Sequence, residues 1–291
     1  MTKSSDRLLP IATVAAFIFV AWYALALVLN GPQVVERLDK SGIPWATMDF
    51  VRECWNMGRA VLPTPHQIVV DLWRTTFDYP LGNPRNIMFH AGVTAASTVL
   101  GFIIGLAVGA VLAVGIVHMR TLESSMMPWV IASQTVPILA IAPMVVVILG
   151  NMGFTGVFPK AMISAYLCFF PITIGLVKGL RSVDPLSLDL MRTYSATQSQ
   201  VFWRLRLPTA MPFLFASLKV GVAISLVGAI VAELPTGAQA GLGARLLTGS
   251  YYGQTVQIWT ALLVAAILSL ILVGGVGAVQ RAVLGRTGAP A

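Results

Sequence analysis

The carboxylate of Glu233 is the group most able to do chemistry, because it comes at the end of a strongly apolar run. A charged group at membrane depth is costly unless it is paired or faces water. Glu233 could therefore line or gate a polar route. It could equally lie at an interface, paired with Arg245 or with a helix N-terminus, and the sequence leaves both interpretations open.

The polar residues Ser133 and Gln134 lie in an apolar segment that contains Pro128, Pro137 and Pro143. Proline removes a backbone donor and bends helices, and freed carbonyls at bilayer depth are tolerated where they meet protein or a water-filled path. A broken helix beside polar residues fits a translocation route, and a merely kinked helix is the alternative. The predicted pathway residues are Ser133, Gln134, Pro137 and Glu233.

Residues that could catalyse a reaction are not clustered in this sequence. A membrane-embedded enzyme would need His, Asp, Glu or Cys grouped at bilayer or interface depth, and Cys54 and Cys168 lie in dissimilar surroundings. The phosphate-binding pattern G-x-x-x-x-G-K-[ST] does not occur. The net charge of +8 is not gathered on one basic module, so nucleic acid is not an expected partner. We therefore expect no catalytic residue, no metal site and no cofactor bound by this chain.

The elements that position these residues are predicted to be transmembrane helices. Hydrophobic residues make up 57% of the chain and charged residues 10%, against about a quarter charged in soluble domains. Crossing a bilayer takes roughly 20 apolar residues. Six spans are predicted, at about 9–29, 90–117, 125–149, 160–178, 212–234 and 257–279. The fourth is short, and Lys160 and Lys178 are expected to snorkel to the interfaces at its two ends.

The distribution of Lys and Arg predicts that both termini are cytoplasmic. With the N-terminus inside, the inner segments carry most of the basic residues, whereas the short outer loops carry Lys160 and Arg245. This asymmetry is the usual pattern of membrane proteins. The long segment 30–89 then lies outside, with a short amphipathic helix after Pro65.

Three glycines recur at intervals of four in the second span, at Gly101, Gly105 and Gly109. This spacing puts a smooth strip on one helix face and allows a neighbouring helix to approach closely. We expect these glycines to serve helix packing.

A polar stretch from Lys178 to Met211 separates the fourth and fifth spans. Asp184 and Pro185 are suited to start a helix, and a second helix is predicted from Ser195 or Thr197 to Pro208. The apolar face of the first helix is Leu186, Leu190, Met191 and Tyr194. Short helices with apolar faces can dock into a groove of a partner, or they can rest on lipid.

The same stretch resembles the cytoplasmic loop of binding-protein-dependent ABC importer permeases. That loop reads Glu-Ala-Ala, three residues, Gly, nine residues, Ile, one residue, Leu-Pro. Leu207-Pro208 match its end, Leu205 takes the Ile position, and the upstream half departs from the pattern, with Ser195 in place of Gly and Asp189-Leu190-Met191 in place of Glu-Ala-Ala. The residues that the resemblance assigns to coupling are Asp189, Leu190, Met191, Ser195, Ala196, Val201, Phe202, Leu205, Leu207 and Pro208.

The resemblance extends from about Leu62 to the end of the chain and is to the nitrate, sulfonate and taurine branch of these permeases. Three further landmarks carry it: Leu62-Pro63-Thr64-Pro65, the run Val227–Glu233, and Gly241-Leu242-Gly243. Residues 30–61 have no counterpart in that branch.

The resemblance implies an all-α, polytopic type I ABC importer fold in the bacterial inner membrane, with a coupling helix between the fourth and fifth spans. It also implies a second permease, either the same chain or a sister, two cytoplasmic ABC ATPases that bind ATP and Mg, and an extracytoplasmic substrate-binding protein. Its solutes would be small, either nitrate-, sulfonate- or taurine-like or a pyrimidine-type heterocycle. An ion-coupled secondary transporter is the alternative function, although Glu233 is the one acidic residue suited to an ion relay.

The predicted organisation is an N-terminal transmembrane helix over 1–29, an extracytoplasmic segment over 30–89, a permease core over 90–280 and a cytoplasmic tail over 281–291. The coupling loop lies within the core at 178–211.

Overall fold

The structure is a computed structural model that describes residues 5–42, 44–234 and 240–287. Every regular element within those residues is helical. The α-helices, numbered α1 to α12 in chain order, are Ser5–Ser41, Thr47–Asn56, Pro65–Phe77, Ile87–His118, Arg120–Ala132, Ile138–Asn151, Val157–Arg181, Pro185–Thr193, Gln198–Val201, Leu207–Glu233, Leu242–Tyr251 and Thr255–Thr287. A 3₁₀ turn at Ser133–Thr135 and a π-helical turn at Phe202–Arg206 complete the set.

Five helical segments of the described chain are long and apolar enough to cross a membrane. Four of them are α1, α4, α7 and α12, and the fifth is the continuous stretch Gln198–Glu233. The pair α5 and α6 passes the same test jointly, but it is bent by 101°. The described residues are thus all-helical in their regular elements and hold five candidate spans, or six if the bent pair crosses the membrane as one element.

The bend between α5 and α6 falls at Val136 and Pro137, both of which have extended backbone angles. A residue that precedes proline is pushed out of the α region by the proline ring. Two hydroxyls just before the bend donate to carbonyls of the preceding turn: Ser133 donates to the Val130 carbonyl and Thr135 to the Ala132 carbonyl. Of the two alternatives that its prolines offered, the third predicted span is therefore a broken helix and not a merely kinked one.

The chain divides into two compact units, Met1–His90 with Arg245–Val264, and Ala91–Ala244 with Ala265–Ala291. In the first unit, α1 runs to Ser41, whereas the apolar run predicted an end near residue 29. Charged residues stop an apolar run but do not stop a helix, and Lys40 pairs with Glu36 one turn earlier at 2.6 Å.

The extension of α1 is held by a buried asparagine and a small apolar core. The Asn30 side chain donates to the carbonyls of Cys54 and Leu62 and accepts from the amides of Val61 and Leu62. Because all the polar atoms of this side chain are hydrogen-bonded, its burial costs little free energy. The core beside it consists of Val34, Cys54, Met57 and Ala60. The described residues of 30–61 therefore form a folded helical hairpin from the end of α1 and from α2.

In the second unit, α4 and α10 both pack closely against α7. A side chain added at Gly101 would overlap Ser164, one at Gly105 would overlap Cys168, and one at Gly109 would meet the carbonyl of Phe169 at 2.9 Å. The glycine strip of α4 thus lies on α7, where close backbone approach replaces side-chain interdigitation.

Candidate functional site

The segment predicted to couple to an ATPase, residues 178–211, is called the coupling segment below, and it contains a helix that carries its own caps. Its first helix, α8, starts at Pro185, and the Asp184 carboxylate accepts from the Leu186 amide at 3.3 Å. At the other end, the Ser195 amide donates to Arg192 and the Ala196 amide donates to Met191. This pair of hydrogen bonds is the Schellman motif, which ends a helix through one residue in the left-handed region.

That left-handed residue is Ser195, with φ of 51°, and it is the one non-glycine residue in this region among those described. Ser195 occupies the position at which the ABC permease loop has Gly. Glycine has no Cβ and adopts this conformation freely, so the geometry explains why the pattern carries Gly here. Serine forms the same turn at a conformational cost of about 1–2 kcal/mol.

We expect Ser195→Gly to stabilise the turn by about 1 kcal/mol, because the strained side chain is removed. Ser195→Val should destabilise it, since a β-branched residue fits the left-handed region poorly. Hydrogen exchange of the Ser195 and Ala196 amides in the purified chain measures both effects. Slower exchange in the valine variant than in the glycine variant would contradict this account of the turn.

One face of α8 is apolar and open to the surroundings. Leu186, Leu190 and Tyr194 are 76%, 57% and 77% exposed, and their spacing of four places them on one side of the helix. Met191 was predicted on this face but is half-buried. Asp189 is exposed and pairs with Arg192 at 3.0 Å.

The second helical arm of the coupling segment begins at Gln198. The prediction that it ends at Pro208 is wrong, because it continues into α10. It starts at a capping box formed by Thr197 and Gln200 and passes through the π-helical turn, where the Leu207 amide bonds the Phe202 carbonyl. A proline lacks the amide that a regular helix needs and its ring crowds the preceding turn. The wider π turn immediately before Pro208 accommodates that ring, so α10 follows without a break.

The second arm is also the place where the segment enters the helix bundle. Val201 is buried, at 9% exposed, and Phe202 packs against a cluster drawn from α4, α7 and α10 and contacts the His118 ring. The cluster is Ala113, Ile116, Leu176, Val177, Leu180 and Ala210. Of the other residues that the resemblance assigns to coupling, Ala196, Leu205 and Leu207 are half-buried and Pro208 is exposed. The segment thus connects an exposed apolar face on α8 to an arm that packs against three helices.

At the far end of α10, the Glu233 side chain is fully buried. Both of its carboxylate oxygens lie 3.0 Å from the hydroxyl of Thr94, and the Gly243 amide donates to one of them at 2.8 Å. The Lys160 ammonium lies 3.7 Å away. The same Thr94 hydroxyl accepts from the Leu242 amide at 2.8 Å. We call Glu233, Thr94, Lys160 and the Gly241–Gly243 turn the carboxylate centre.

The carboxylate centre corrects one prediction and resolves another. Lys160 does not snorkel outward: it is 8% exposed and its ammonium donates to the Ala240 carbonyl at 2.9 Å. The cation beside Glu233 is therefore Lys160, where the sequence suggested Arg245. The predicted helix N-terminus is present as well, because the Gly243 amide belongs to the first turn of α11, where free amides favour a negative charge.

Two glycines make room for the carboxylate. Gly241 has φ of 129°, and a Cβ there would overlap the Glu233 carboxyl group. A Cβ at Gly243 would overlap the Ile230 carbonyl. The glycine turn noted in the sequence is therefore fitted to Glu233.

The predicted pathway residues are not gathered at one point. Ser133, Gln134 and Pro137 lie at the bend between α5 and α6, where Tyr166 of α7 donates to the Ser133 carbonyl. Glu233 pairs with Lys160, six residues earlier on α7 than Tyr166, which corresponds to about 9 Å along a helix axis. Thr94 and Lys160 were missed as partners because they are remote from Glu233 in the chain. Several long apolar helices, with a capped helical loop between two of them, are the architecture of a polytopic membrane protein.

The chain belongs to the family of binding-protein-dependent transport system inner membrane components, whose profile matches residues 87–287. It is therefore the permease subunit of an ABC importer and a multi-pass protein of the inner membrane. The resemblance stated from the loop and its landmarks is confirmed.

Curated relatives agree with this assignment. The chain is 30% identical over 183 residues to a probable ABC transporter permease protein of Haemophilus influenzae, covering 63% of this chain and 73% of the relative. It is 31% identical over 186 residues to the formylaminopyrimidine transport permease protein ThiX of Halalkalibacterium halodurans, covering 63% and 68%. The taurine transport system permease protein TauC of Escherichia coli is 24% identical over 221 residues, covering 76% and 78%.

Solved structures show the same fold. A chain of an amino acid ABC transporter solved with histidines superposes with a TM-score of 0.56 at 15% sequence identity, covering 67% of this chain and 92% of that one. An inward-facing MetNI methionine ABC transporter gives a TM-score of 0.50 at 19% identity, covering 75% and 96%.

Proposed function

We propose that this chain forms a translocation pathway with a second permease and is driven through its coupling segment by two cytoplasmic ABC ATPases. The observation that carries the proposal is that one part of the segment exposes an apolar face while another part is packed into the helix bundle. Its outer face exposes Leu186, Leu190 and Tyr194, while Phe202 is packed among three helices. A partner that covers the outer face therefore gains a mechanical connection to the bundle.

ATP and Mg belong to the partner ATPases in this proposal. Closure of the ATPase dimer on ATP displaces α8, which is joined to α7 by only three residues, 182–184. The second arm runs into α10 without a break. Displacement of the segment thus biases the bundle between inward-open and outward-open states, a population shift driven by a ligand.

The continuous helical stretch that carries the motion is long enough to reach across the membrane. Gln198–Glu233 contains 36 residues, which corresponds to about 54 Å, against about 30 Å for the hydrocarbon core. The coupling segment and the carboxylate centre then lie toward opposite faces. With both termini in the cytoplasm, the carboxylate centre lies toward the extracytoplasmic side, where a substrate-binding protein delivers solute.

The solute is proposed to be small, because relatives named for formylaminopyrimidine, riboflavin and taurine transport share this scaffold. The pathway is proposed to pass the bend at Ser133, Gln134 and Pro137 and the Glu233 region. The second permease is either a copy of this chain or a sister chain. The segment 30–89 is assigned to the outer side, the core to 90–280 and the tail at 281–291 to the cytoplasm.

Labelling of single cysteines tests the proposed orientation. Thr193→Cys on α8 and Ser250→Cys on α11 both replace exposed residues. With a membrane-impermeant maleimide, Thr193→Cys should react in inside-out vesicles and stay protected in spheroplasts, and Ser250→Cys should show the reverse. The native thiols add little background, because Cys54 and Cys168 are buried and burial, with a smaller contribution from Glu53, raises the pKa of Cys54. Labelling of residue 193 from outside would overturn the orientation and the coupling role.

A further inference from the structure

A cleft of about 490 Å³ opens beside the last turn of α7. Its walls come from α5, from α7 and from the start of α10, and all three helices belong to one compact unit. Lys178 and Arg181 stand in the last turn of α7, whereas Lys160 of the carboxylate centre stands near its start. The cleft is therefore a separate feature at the other end of this helix.

The inner wall of the cleft is apolar. It is formed by Met127 of α5, by Ile174 and Val177 of α7 and by Phe213 of α10. The helices α7 and α10 pack closely there, because a Cβ added at Gly179 would come within 2.8 Å of the Phe213 Cβ. The wall suits a hydrocarbon chain, since burial against apolar side chains leaves no polar group unpaired.

The rim of the cleft carries two cationic groups, Lys178 and Arg181, which lie three residues apart and so share one helix face. Lys178 is exposed, and within the described residues its ammonium has neither a hydrogen bond nor an ion pair. The Arg181 guanidinium is held by Glu123 of α5, with two N···O distances of 2.8 Å. A guanidinium has five N–H donors, so three remain after this pair has formed. Both groups can therefore donate to the oxygens of one anion.

The rim is positively charged even though Glu123 lies beside it. The Glu123 carboxylate is paired with Arg181, and Arg120 acts electrostatically on the same carboxylate. Lys178 and Arg181, with Arg120 nearby, thus outweigh the one acidic group. Basic pockets between transmembrane helices bind the headgroups of anionic lipids.

The cleft lies at the level of a membrane surface. The helix α7 has 25 residues, about 38 Å along its axis, against about 30 Å for the hydrocarbon core, so its last turn reaches the headgroup region. Two exposed tryptophans lie on the neighbouring segments, Trp129 on α5 and Trp203 just before α10. Tryptophan is enriched at membrane–water interfaces. A phosphate at the rim and an acyl chain on the wall fit this position.

We propose that the cleft binds one anionic phospholipid, with its phosphate at Lys178 and Arg181 and an acyl chain on the apolar wall. The charge of the rim selects an anionic headgroup. The wall selects a lipid over a soluble phosphate, which would leave the apolar side chains uncovered. Such a site requires only that α7 crosses the membrane, and it is independent of the proposed transport function.

Native mass spectrometry of the full-length chain, released from detergent micelles, counts bound phospholipids during a titration. We expect the first dioleoylphosphatidylglycerol to bind at least about tenfold more tightly than the first dioleoylphosphatidylcholine, because the choline cation offsets the charge of its phosphate. sn-Glycerol 3-phosphate carries the phosphate without acyl chains, and in large excess it should not displace the lipid.

Lys178→Gln should weaken phosphatidylglycerol binding at least about fivefold, since it removes a charged donor to the phosphate. Lys178→Arg should hold binding within about twofold, because arginine keeps the charge and the donors. Lys219→Gln is the matched control: Lys219 also lies within an apolar span, and the stem of its side chain faces Gly277 of α12. It removes the same charge from the chain and should leave phosphatidylglycerol binding unchanged.

Ser182→Trp tests the site without changing a charge. Ser182 lines the cleft and is exposed, so the larger side chain should fill the space for the headgroup while the helices stay packed. We expect phosphatidylglycerol then to bind no more tightly than phosphatidylcholine. Thr193→Trp on the exposed surface of α8 is the control and should bind phosphatidylglycerol as the unaltered chain does.

Four results would overturn the inference: equal affinity for the two lipids, displacement by sn-glycerol 3-phosphate, an equal loss of binding in Lys219→Gln, or full binding in Lys178→Gln or Ser182→Trp. Displacement by sn-glycerol 3-phosphate would assign the cleft to a soluble phosphate. Because the chain is tested without an ATPase, failure of the coupling proposal would leave every one of these measurements unaffected.

Discussion

The double variant Leu186→Gln/Leu190→Gln is expected to abolish solute-stimulated ATP hydrolysis by the assembled importer. The two side chains are 76% and 57% exposed, and burial of a leucine against a partner contributes about 1.5–3 kcal/mol. Scaled to these exposed fractions, loss of both removes about 2–4 kcal/mol of docking free energy, on the order of a 100-fold weaker association. The measurements are stimulated ATPase activity in proteoliposomes and co-purification of the ATPase.

Arg192→Gln provides the control for this variant, because it places the same residue on the opposite side of α8. Its surface ion pair with Asp189 contributes little, so stimulation should stay within about twofold of the unaltered importer. Membrane insertion should be unchanged in both variants, since the substituted side chains are exposed. Full stimulation in the double variant would remove α8 from the coupling path.

Lys160→Met is expected to destabilise the folded chain by about 3–5 kcal/mol, because it leaves the buried Glu233 carboxylate without a cation. Thr94 and the Gly243 amide remain as partners but carry no charge to compensate it. Adding Glu233→Gln should recover most of the loss, since the second change removes the orphaned charge. Unfolding in detergent, followed by circular dichroism against increasing SDS, measures each arm of the cycle.

Lys219→Met is the matched control, because Lys219 is another lysine within an apolar span and is half-buried. Its replacement should change stability by less than about 1 kcal/mol. If Lys160→Met unfolds at the same SDS concentration as the unaltered chain, or if Glu233→Gln fails to rescue it, the ion pair does not hold the carboxylate centre together.

The parts of the fold that depend on local composition could be predicted from the sequence. Long apolar runs marked the spans, and the Asp184-Pro185 pair marked the start of α8. The position of Ser195 in the loop pattern also has a local cause, because the αL residue of a helix end is set by backbone geometry.

The features that could not be predicted depend on tertiary packing. The apolar run gave no indication that α1 continues to Ser41, because that extension is stabilised by the buried Asn30 and the α2 hairpin. Pro208 was predicted to end a helix. The π turn that accommodates this proline cannot be recognised from composition. Lys160 and Glu233 lie 73 positions apart (233 − 160), so their pairing follows only from the packing of α7 against α10.

Photocrosslinking from position 190 tests most directly whether force enters this permease through the coupling segment. With benzoylphenylalanine in place of Leu190 in the assembled importer, we expect a crosslink to the ATPase subunit. The same group in place of Val111, an exposed residue of α4, should give none. A position-190 probe that crosslinks only to lipid, or to the extracytoplasmic binding protein, would contradict the account.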